Sequence, residues 1–243
     1  MNEFRYTAYA QEIIFGAGAL AKLPDAVDMY GWSRLMLCAS PSLLKNGVVA
    51  QIETLLGRRL VITFAEVAAH VQEAQVNRVT ALAEQNNIDA VIGVGGGSPL
   101  GMAKAVSLGL EGRRIGVEAA QSHYPPVPPR VPSIAIPTTY AGSEMTPTYG
   151  ITRVMEDGST RKVTVRDDKI PPKLVIYDPA LTLDLPPSVT AATGINALAH
   201  CVEALYSINR NPLSTAAALS GIKTIAGSLL RCYQHGDDLE ART

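Results

Sequence analysis

Residues 89–98 read Asp89-Ala-Val-Ile-Gly-Val-Gly-Gly-Gly-Ser98, and Pro-Leu-Gly-Met-Ala-Lys-Ala-Val follows directly. Residues 90–94 form a short, unbroken apolar run rich in β-branched side chains, the pattern of a strand buried on both faces of a parallel sheet. Gly95, Gly96 and Gly97 open backbone dihedrals closed to other residues and carry no Cβ to hold a ligand away. Ser98 suits a helix N-cap and Pro99 the first helical position, which predicts a helix through Met102, Ala103, Val106 and Leu110. Strand, bare turn and helix start together gather free N–H groups and the positive end of a helix dipole, a cradle for a pyrophosphate. A tight strand-to-helix connection without ligand is the alternative, although three successive glycines exceed what such a turn needs.

Working outward, residues 34–39 form an apolar run ending at Ser40-Pro41-Ser42, which predicts a strand and then a capped helix through Leu56. Residues 60–64 read as a further strand and residues 71–87 as an amphipathic helix packed on a sheet. This alternation predicts an α/β fold, a Rossmann-like doubly wound parallel sheet whose ligands lie beyond the strand C-termini. Residues 12–21 satisfy the dinucleotide fingerprint through Gly16, Gly18 and Ala21. The acidic residue due about 20 positions later is missing from Leu37-Cys-Ala-Ser40, so a plain turn into a helix over 19–29 is the reading preferred.

After Glu111 the pattern dissolves into a proline-rich stretch ending at Pro132, read as a surface loop with polyproline character. Residues 133–136 are a strand, and Pro137-Thr-Thr-Tyr-Ala-Gly-Ser-Glu144 is a hydroxyl-rich loop that topology places beside the glycine turn. Residues 148–154 and 161–165 flank Glu156-Asp-Gly-Ser as a projecting hairpin, and 174–177 is another strand. Beyond Leu185-Pro-Pro-Ser188 the chain turns alanine-rich and helical, over 189–206 and 212–232. The expected domains are therefore 1–184, α/β, and 185–243, the start of an all-helical domain left incomplete, because two helices do not close a core.

With 21 basic and 22 acidic residues in 243, nothing points to nucleic acid or an anionic membrane as partner. Cys38, Cys201 and Cys232 are three and far apart, which suits a reduced cytoplasmic protein, and no apolar run reaches the ~20 residues that span a bilayer.

On Gly95-Gly-Gly-Ser98, Pro137-Thr-Thr with Gly142-Ser-Glu144, Tyr177-Asp-Pro-Ala-Leu181, and Gly194 to His200 leading to Glu203, the chain resembles the iron-containing (group III) alcohol dehydrogenase family. Gly101-Met-Ala-Lys104, Thr-Thr-Tyr-Ala-Gly-Ser-Glu and Gly194-Ile-Asn196-Ala-Leu-Ala-His200 resemble its maleylacetate reductase branch. The resemblance implies an NADH- or NADPH-dependent oxidoreductase, of dehydroquinate synthase-like architecture, that reduces an unsaturated keto-dicarboxylate, maleylacetate to 3-oxoadipate, as a homodimer. It implies cofactor contacts from Gly95, Gly96, Gly97, Ser98, Thr138, Thr139, Ser143, Leu181 and, at the ribose, Lys162. Taken alone, those hydroxyls are ordinary loop residues and Lys162 an ordinary hairpin charge. Ser40 stands where many members have an Asp that repels a 2′-phosphate, so both cofactors should be usable.

In metal-dependent members an Asp and a His four residues on, on one helix face, bind the ion; here the pair is Asn196 and His200. A neutral amide brings no charge to offset a desolvated cation, so metal is expected to be absent, unless residues beyond Thr243 complete a one-histidine site. Asn196 and His200 then become catalytic candidates as hydrogen-bond donors to the substrate; the other reading of His200 is a helix histidine satisfied within a helical core. Arg153, Arg161 and Arg166 lie in or near the hairpin as surface charges. Two rival functions stay open: a metal-dependent alcohol or aldehyde dehydrogenase, and a catalytically silent nucleotide-binding fragment.

Overall fold

The computed structural model describes residues 3–6, 8–116, 128–155 and 157–243. The chain divides into two compact units: residues 11–137 with 143–178, and residues 1–10, 138–142 and 179–243.

The first unit is built on a six-stranded, all-parallel sheet. Its strands are β1 (Glu12–Phe15), β2 (Leu35–Ala39), β3 (Leu60–Phe64), β4 (Ala90–Gly95), β5 (Ser133–Pro137) and β8 (Leu174–Tyr177), in the order β1-β8-β5-β4-β2-β3. β6 (Thr148–Val154) and β7 (Thr160–Arg166) pair separately as an antiparallel hairpin of seven residue pairs. Every residue of β2, β4 and β5 is buried, as unbroken apolar runs demand when both faces of a sheet are covered. Among the described residues, the helices of this unit are α1 (Leu23–Met29), α2 (Ser42–Lys45), α3 (Val48–Leu56), α4 (Glu73–Gln85) and α5 (Gly97–Ile115). On one face, α4, α5 and the inward side of β6 close a core around Met36, Val79, Val91, Met102, Val106 and Tyr149.

Several expected boundaries move, each for a local reason. The segment 19–29 is a 3-10 turn, Ala19–Lys22, followed by α1, whose first turn holds Pro24. The helix expected through Leu56 is cut into α2 and α3 at Asn46-Gly47. Residues 71 and 72 stay extended instead of opening α4: the Val71 carbonyl accepts the Thr152 amide at 2.7 Å, tying this strand-like entry to β6. α5 starts at Gly97 with Gly96 as its cap, so Ser98 and Pro99 lie inside the first turn and the expected Ser98 cap is overturned. The reason lies in Ser98 itself, whose hydroxyl accepts the His70 amide at 3.2 Å and caps nothing. At its other end α5 runs past Glu111 to Ile115, because Glu111 is buried and held by Arg114 and by the Arg130 amide. Of the expected proline-rich loop, residues 117–127 lie outside the described residues.

The second unit is a helical hairpin, α6 (Pro187–Tyr206) and α7 (Pro212–Gln234), followed by the short α8 (Leu239–Arg242). Asn211 and Ser214 form a reciprocal capping box at the start of α7. The two long helices meet through small residues: a Cβ on Gly221 would stand 2.7 Å from the Cys201 sulfur, and Gly194 faces Leu229 as closely. Against expectation, α7 is long and apolar enough by length and composition to cross a bilayer. Lys223, Arg231 and scattered Ser and Thr interrupt its apolar run in the sequence, which is why the run alone does not reveal it.

Candidate cofactor-binding site

At the centre of the parallel sheet, Ala39 of β2 pairs with Val94 of β4, and Gly95 of β4 with Pro137 of β5. Ser40 and the glycine turn therefore leave adjacent strands side by side at the carboxyl edge, and Thr138 is the first residue beyond β5. Gly95 has φ 133°, a conformation that L side chains rarely adopt. Two residues earlier Gly93 serves packing: a Cβ there would lie 2.8 Å from the Pro99 carbonyl oxygen and 3.1 Å from the Ala103 Cβ, so its absence brings α5 down onto β4.

Gly97 differs from both. Its φ is ordinary for a helix and an added Cβ would meet nothing within 4 Å, so neither backbone nor packing calls for glycine. The space that a Cβ would fill lies where the first-turn amides of α5 lack intrahelical acceptors. Open space beside Gly97, first-turn N–H groups without intrahelical acceptors and the dipole of a 19-residue helix suit a pyrophosphate. By contrast, the other glycine pair is occupied: the Gly18 and Leu20 amides donate to the Asp178 carboxylate at 2.9 and 3.0 Å. This accounts for the fingerprint at 16–21 as a turn closed by the chain's own carboxylate.

Around the turn, the Ser40 and Ser42 hydroxyls share a 2.9 Å hydrogen bond, leaving the end of β2 polar but uncharged. Ser143 opens a 3-10 turn, Ser143–Met145, and its carbonyl, with those of Thr146 and Thr148 beyond the turn, accepts from Lys104 of α5. Burial pushes the Lys104 ammonium down to about 8, with the nearby Glu144 pulling the other way. Glu144 is itself buried, and its carboxyl is raised above the usual range by desolvation. One of its oxygens accepts the Tyr177 hydroxyl at 2.9 Å, and burial together with this carboxylate raises the Tyr177 phenol. Lys162 lies on β7 opposite Thr152, exposed, with its Cε 3.1 Å from the position of a Cβ on Gly150. Of the hairpin arginines, Arg153 pairs with Glu73 at 2.8 Å and Arg166 with Asp168 at 3.4 Å, both in the open, as surface charges do.

The remaining sequence candidates belong to the second unit. Thr138 is buried and Thr139 half-buried. Between them and Gly142, Tyr140 is fixed at both ends: its amide donates to Thr193 Oγ1 at 3.4 Å, and its hydroxyl accepts from the buried Arg242 at 2.8 Å. Leu181 sits in the 3-10 turn Pro179–Thr182, half-buried. Asn196 and His200 lie one helical turn apart on α6, both exposed, and His200 Nδ1 stands 3.4 Å from Glu203 Oε2. Gly194 and Cys201 face α7, which puts Asn196 and His200 on the other side of α6.

Models of known families match both parts of the chain. The model of the iron-containing alcohol dehydrogenases covers residues 10–179, and that of the family's C-terminal part covers 190–243. The chain belongs to the iron-containing alcohol dehydrogenase family. Over 240 residues it is 36% identical to maleylacetate reductase of Sphingobium indicum, covering 99% of this chain and 60% of that protein. The crystal structure of maleylacetate reductase from Agrobacterium tumefaciens matches with a TM-score of 0.83 at 33% identity, covering 100% of this chain and 62% of that one. Alcohol dehydrogenase from Oenococcus oeni matches at 0.85 and 29%, over 96% and 61%. The chain thus spans about 60% of the length of the relatives it matches.

The family's name raises iron. On α6 the candidate donors are the neutral amide of Asn196 and the imidazole of His200, with the Glu203 carboxylate 3.4 Å from that imidazole, and among the described residues no three His, Cys, Asp or Glu side chains converge as a metal-ligand set.

Sequence reasoning overlooked Lys104, Glu144 and Tyr177 as one network, and the tie between Tyr140 and Arg242. A visible signal existed for the first: Lys104 interrupts Met102-Ala-Lys-Ala-Val106, a stretch otherwise written for burial.

Proposed function

We propose that this chain carries the nucleotide-binding part, drawn from residues 1–184, and the first helices, from residue 185, of a cytoplasmic, homodimeric NAD(P)H-dependent reductase acting on maleylacetate. The single observation that carries the reading is Gly97 at the start of α5, where neither backbone nor packing calls for glycine and a Cβ would meet no atom within 4 Å. The maleylacetate reductases among the relatives supply the substrate.

The nicotinamide, when bound, supplies hydride to the carbon–carbon double bond conjugated to the substrate ketone. Every other task falls to the chain. The amides of Gly96, Gly97 and Ser98 bind pyrophosphate; Thr138, Thr139, Ser143 and Leu181 line the cofactor and Lys162 takes its ribose. Ser40 tolerates either a ribose hydroxyl or a 2′-phosphate, because no carboxylate stands there to repel it. The amide of Asn196 and the imidazole of His200 would donate hydrogen bonds to the ketone oxygen, where negative charge would collect, and one proton taken up from solvent would complete the reduction. Such donors contribute several kcal/mol when held in place and dry.

The test is NADH consumption with maleylacetate, alongside simple aldehydes, with and without chelator, for the wild type and His200→Ala. The expected result is chelator-resistant turnover of maleylacetate and a fall in kcat of more than tenfold in the variant. A smaller fall removes His200 from the chemistry. The exposed imidazole one turn from Asn196 favours a second reading, a metal-dependent alcohol or aldehyde dehydrogenase, and loss of turnover on chelation selects it.

A further inference from the structure

We infer that Lys104 is a positioning residue for the cofactor: from inside α5 its ammonium fixes the Ser143–Thr148 turn at a set distance from the glycine turn that begins the same helix. The inference rests on the reading that this glycine turn takes a nicotinamide dinucleotide. Lys104 is fully buried, yet among the described residues no carboxylate bonds it directly. Its Nζ donates to three main-chain carbonyls, those of Ser143, of Thr146 at 2.9 Å and of Thr148 at 2.9 Å. The Ser143 and Thr146 hydroxyls lie further off, at 3.3 and 3.5 Å. Three hydrogens meet three carbonyls, so the ammonium has nothing left to offer a ligand. Its role is to hold.

What it holds matters because of where it starts. Gly97 and Lys104 are two turns apart on one helix, roughly 10 Å of rigid backbone. At the far end of the grip, Ser143 opens the turn and Thr148 opens β6, the strand whose partner β7 carries Lys162. One side chain thereby sets the Ser143 hydroxyl and the root of the hairpin against the amides at the start of α5. Independent ties keep the turn from sliding: the Gln11 amide donates to the Glu144 carbonyl at 3.0 Å, and the Tyr177 hydroxyl to the Glu144 carboxylate at 2.9 Å. The titratable groups that face this ammonium are Glu144 and, beyond it, Tyr177; on β6, Tyr149 packs against Gly101 instead and Arg153 pairs with Glu73. With the ammonium pushed down to about 8, mild alkali converts it to an amine with two hydrogens for three carbonyls.

The experiment titrates NADH fluorescence against wild type and Lys104→Met from pH 7 to 9.5, with thermal melts and amide hydrogen exchange over residues 143–148. Expected are a cooperative melt, NADH binding at least tenfold weaker and faster exchange in the variant. Wild-type affinity should fall above pH ~8, while that of the variant stays flat. A merely structural lysine would lower the melt and leave the affinity of the folded protein and its pH profile alone. Cooperative folding of Lys104→Met with NADH affinity within twofold of wild type overturns the inference and spares the cofactor reading. Should the variant fail to fold, a flat wild-type profile overturns it equally. Absence of NADH binding by the wild type defeats the reading of the glycine turn and the inference with it.

Discussion

Replacing Gly97 by alanine separates what the fold needs from what a ligand needs. A Cβ at this position meets no atom within 4 Å and the backbone is already helical, so the folded state loses nothing. Alanine is favoured over glycine in a helix by up to about 1 kcal/mol, which at 2–4 °C per kcal/mol for a chain of this size leaves the melting temperature unchanged or slightly raised. The added methyl nevertheless occupies the space over the first-turn amides. Pushing one phosphate oxygen off one of them removes a charge-assisted hydrogen bond worth about 1.5–3 kcal/mol. That is a rise in Kd for NADH of roughly 10- to 100-fold. Fluorescence titration of NADH and thermal melts on the same preparations read both quantities. Unchanged affinity in a protein that melts normally would refute the cradle; a lowered melting temperature would refute the claim that Gly97 is free of packing duty.

Gly93→Ala should behave the opposite way, since its Cβ strikes the Pro99 carbonyl at 2.8 Å: overpacking costs about 1–3 kcal/mol, visible as an earlier denaturant midpoint. Ser40→Asp should weaken NADPH at least tenfold relative to NADH, because a carboxylate beside a 2′-phosphate is repelled by about 2 kcal/mol or more, and the ratio of the two Kd values checks it. Arg114 bonds Glu111 and holds its carboxyl below the usual range. The stabilisation this brings is present above the ordinary carboxylate value and lost as pH falls through the lowered one, so wild type should lose stability in acid that Glu111→Gln does not, as read by melts between pH 6 and 3.

The strands were legible because their runs are short and apolar: 34–39, 60–64, 90–94 and 174–177 each hold a strand of the sheet, the last three carrying β-branched residues, with β2 and β4 buried throughout. The glycine turn was legible for the same reason of excess, three glycines where a turn needs fewer. Helix ends were less so. Ser98 looks like a cap from its neighbours alone, and only the approach of His70, 28 residues away, shows the hydroxyl already spoken for. Likewise Lys104 follows no local rule, because its three acceptors arrive from 39 to 44 residues further along. Asp178 is the clearest case: Asp178-Pro179 reads as the end of a strand, and nothing near it in sequence tells that its oxygens fill the Gly16–Ala21 turn some 160 positions back. Pattern carries what neighbours decide; contacts across the chain leave at most an oddity, such as a charge in an apolar run.

The placement of β1 at the margin of the sheet has a consequence for how the molecule is made. Its hydrogen-bonded neighbour is β8, and the turn after β1 is closed by Asp178, 160 residues downstream. Once made, β1 thus waits roughly 10 to 30 seconds, at 5–20 residues per second, before its pairing edge exists. Throughout that interval the backbone groups of residues 12–15 lack their strand partner. Newly made protein should therefore be most prone to clumping just before Tyr177 is added, and safest soon after.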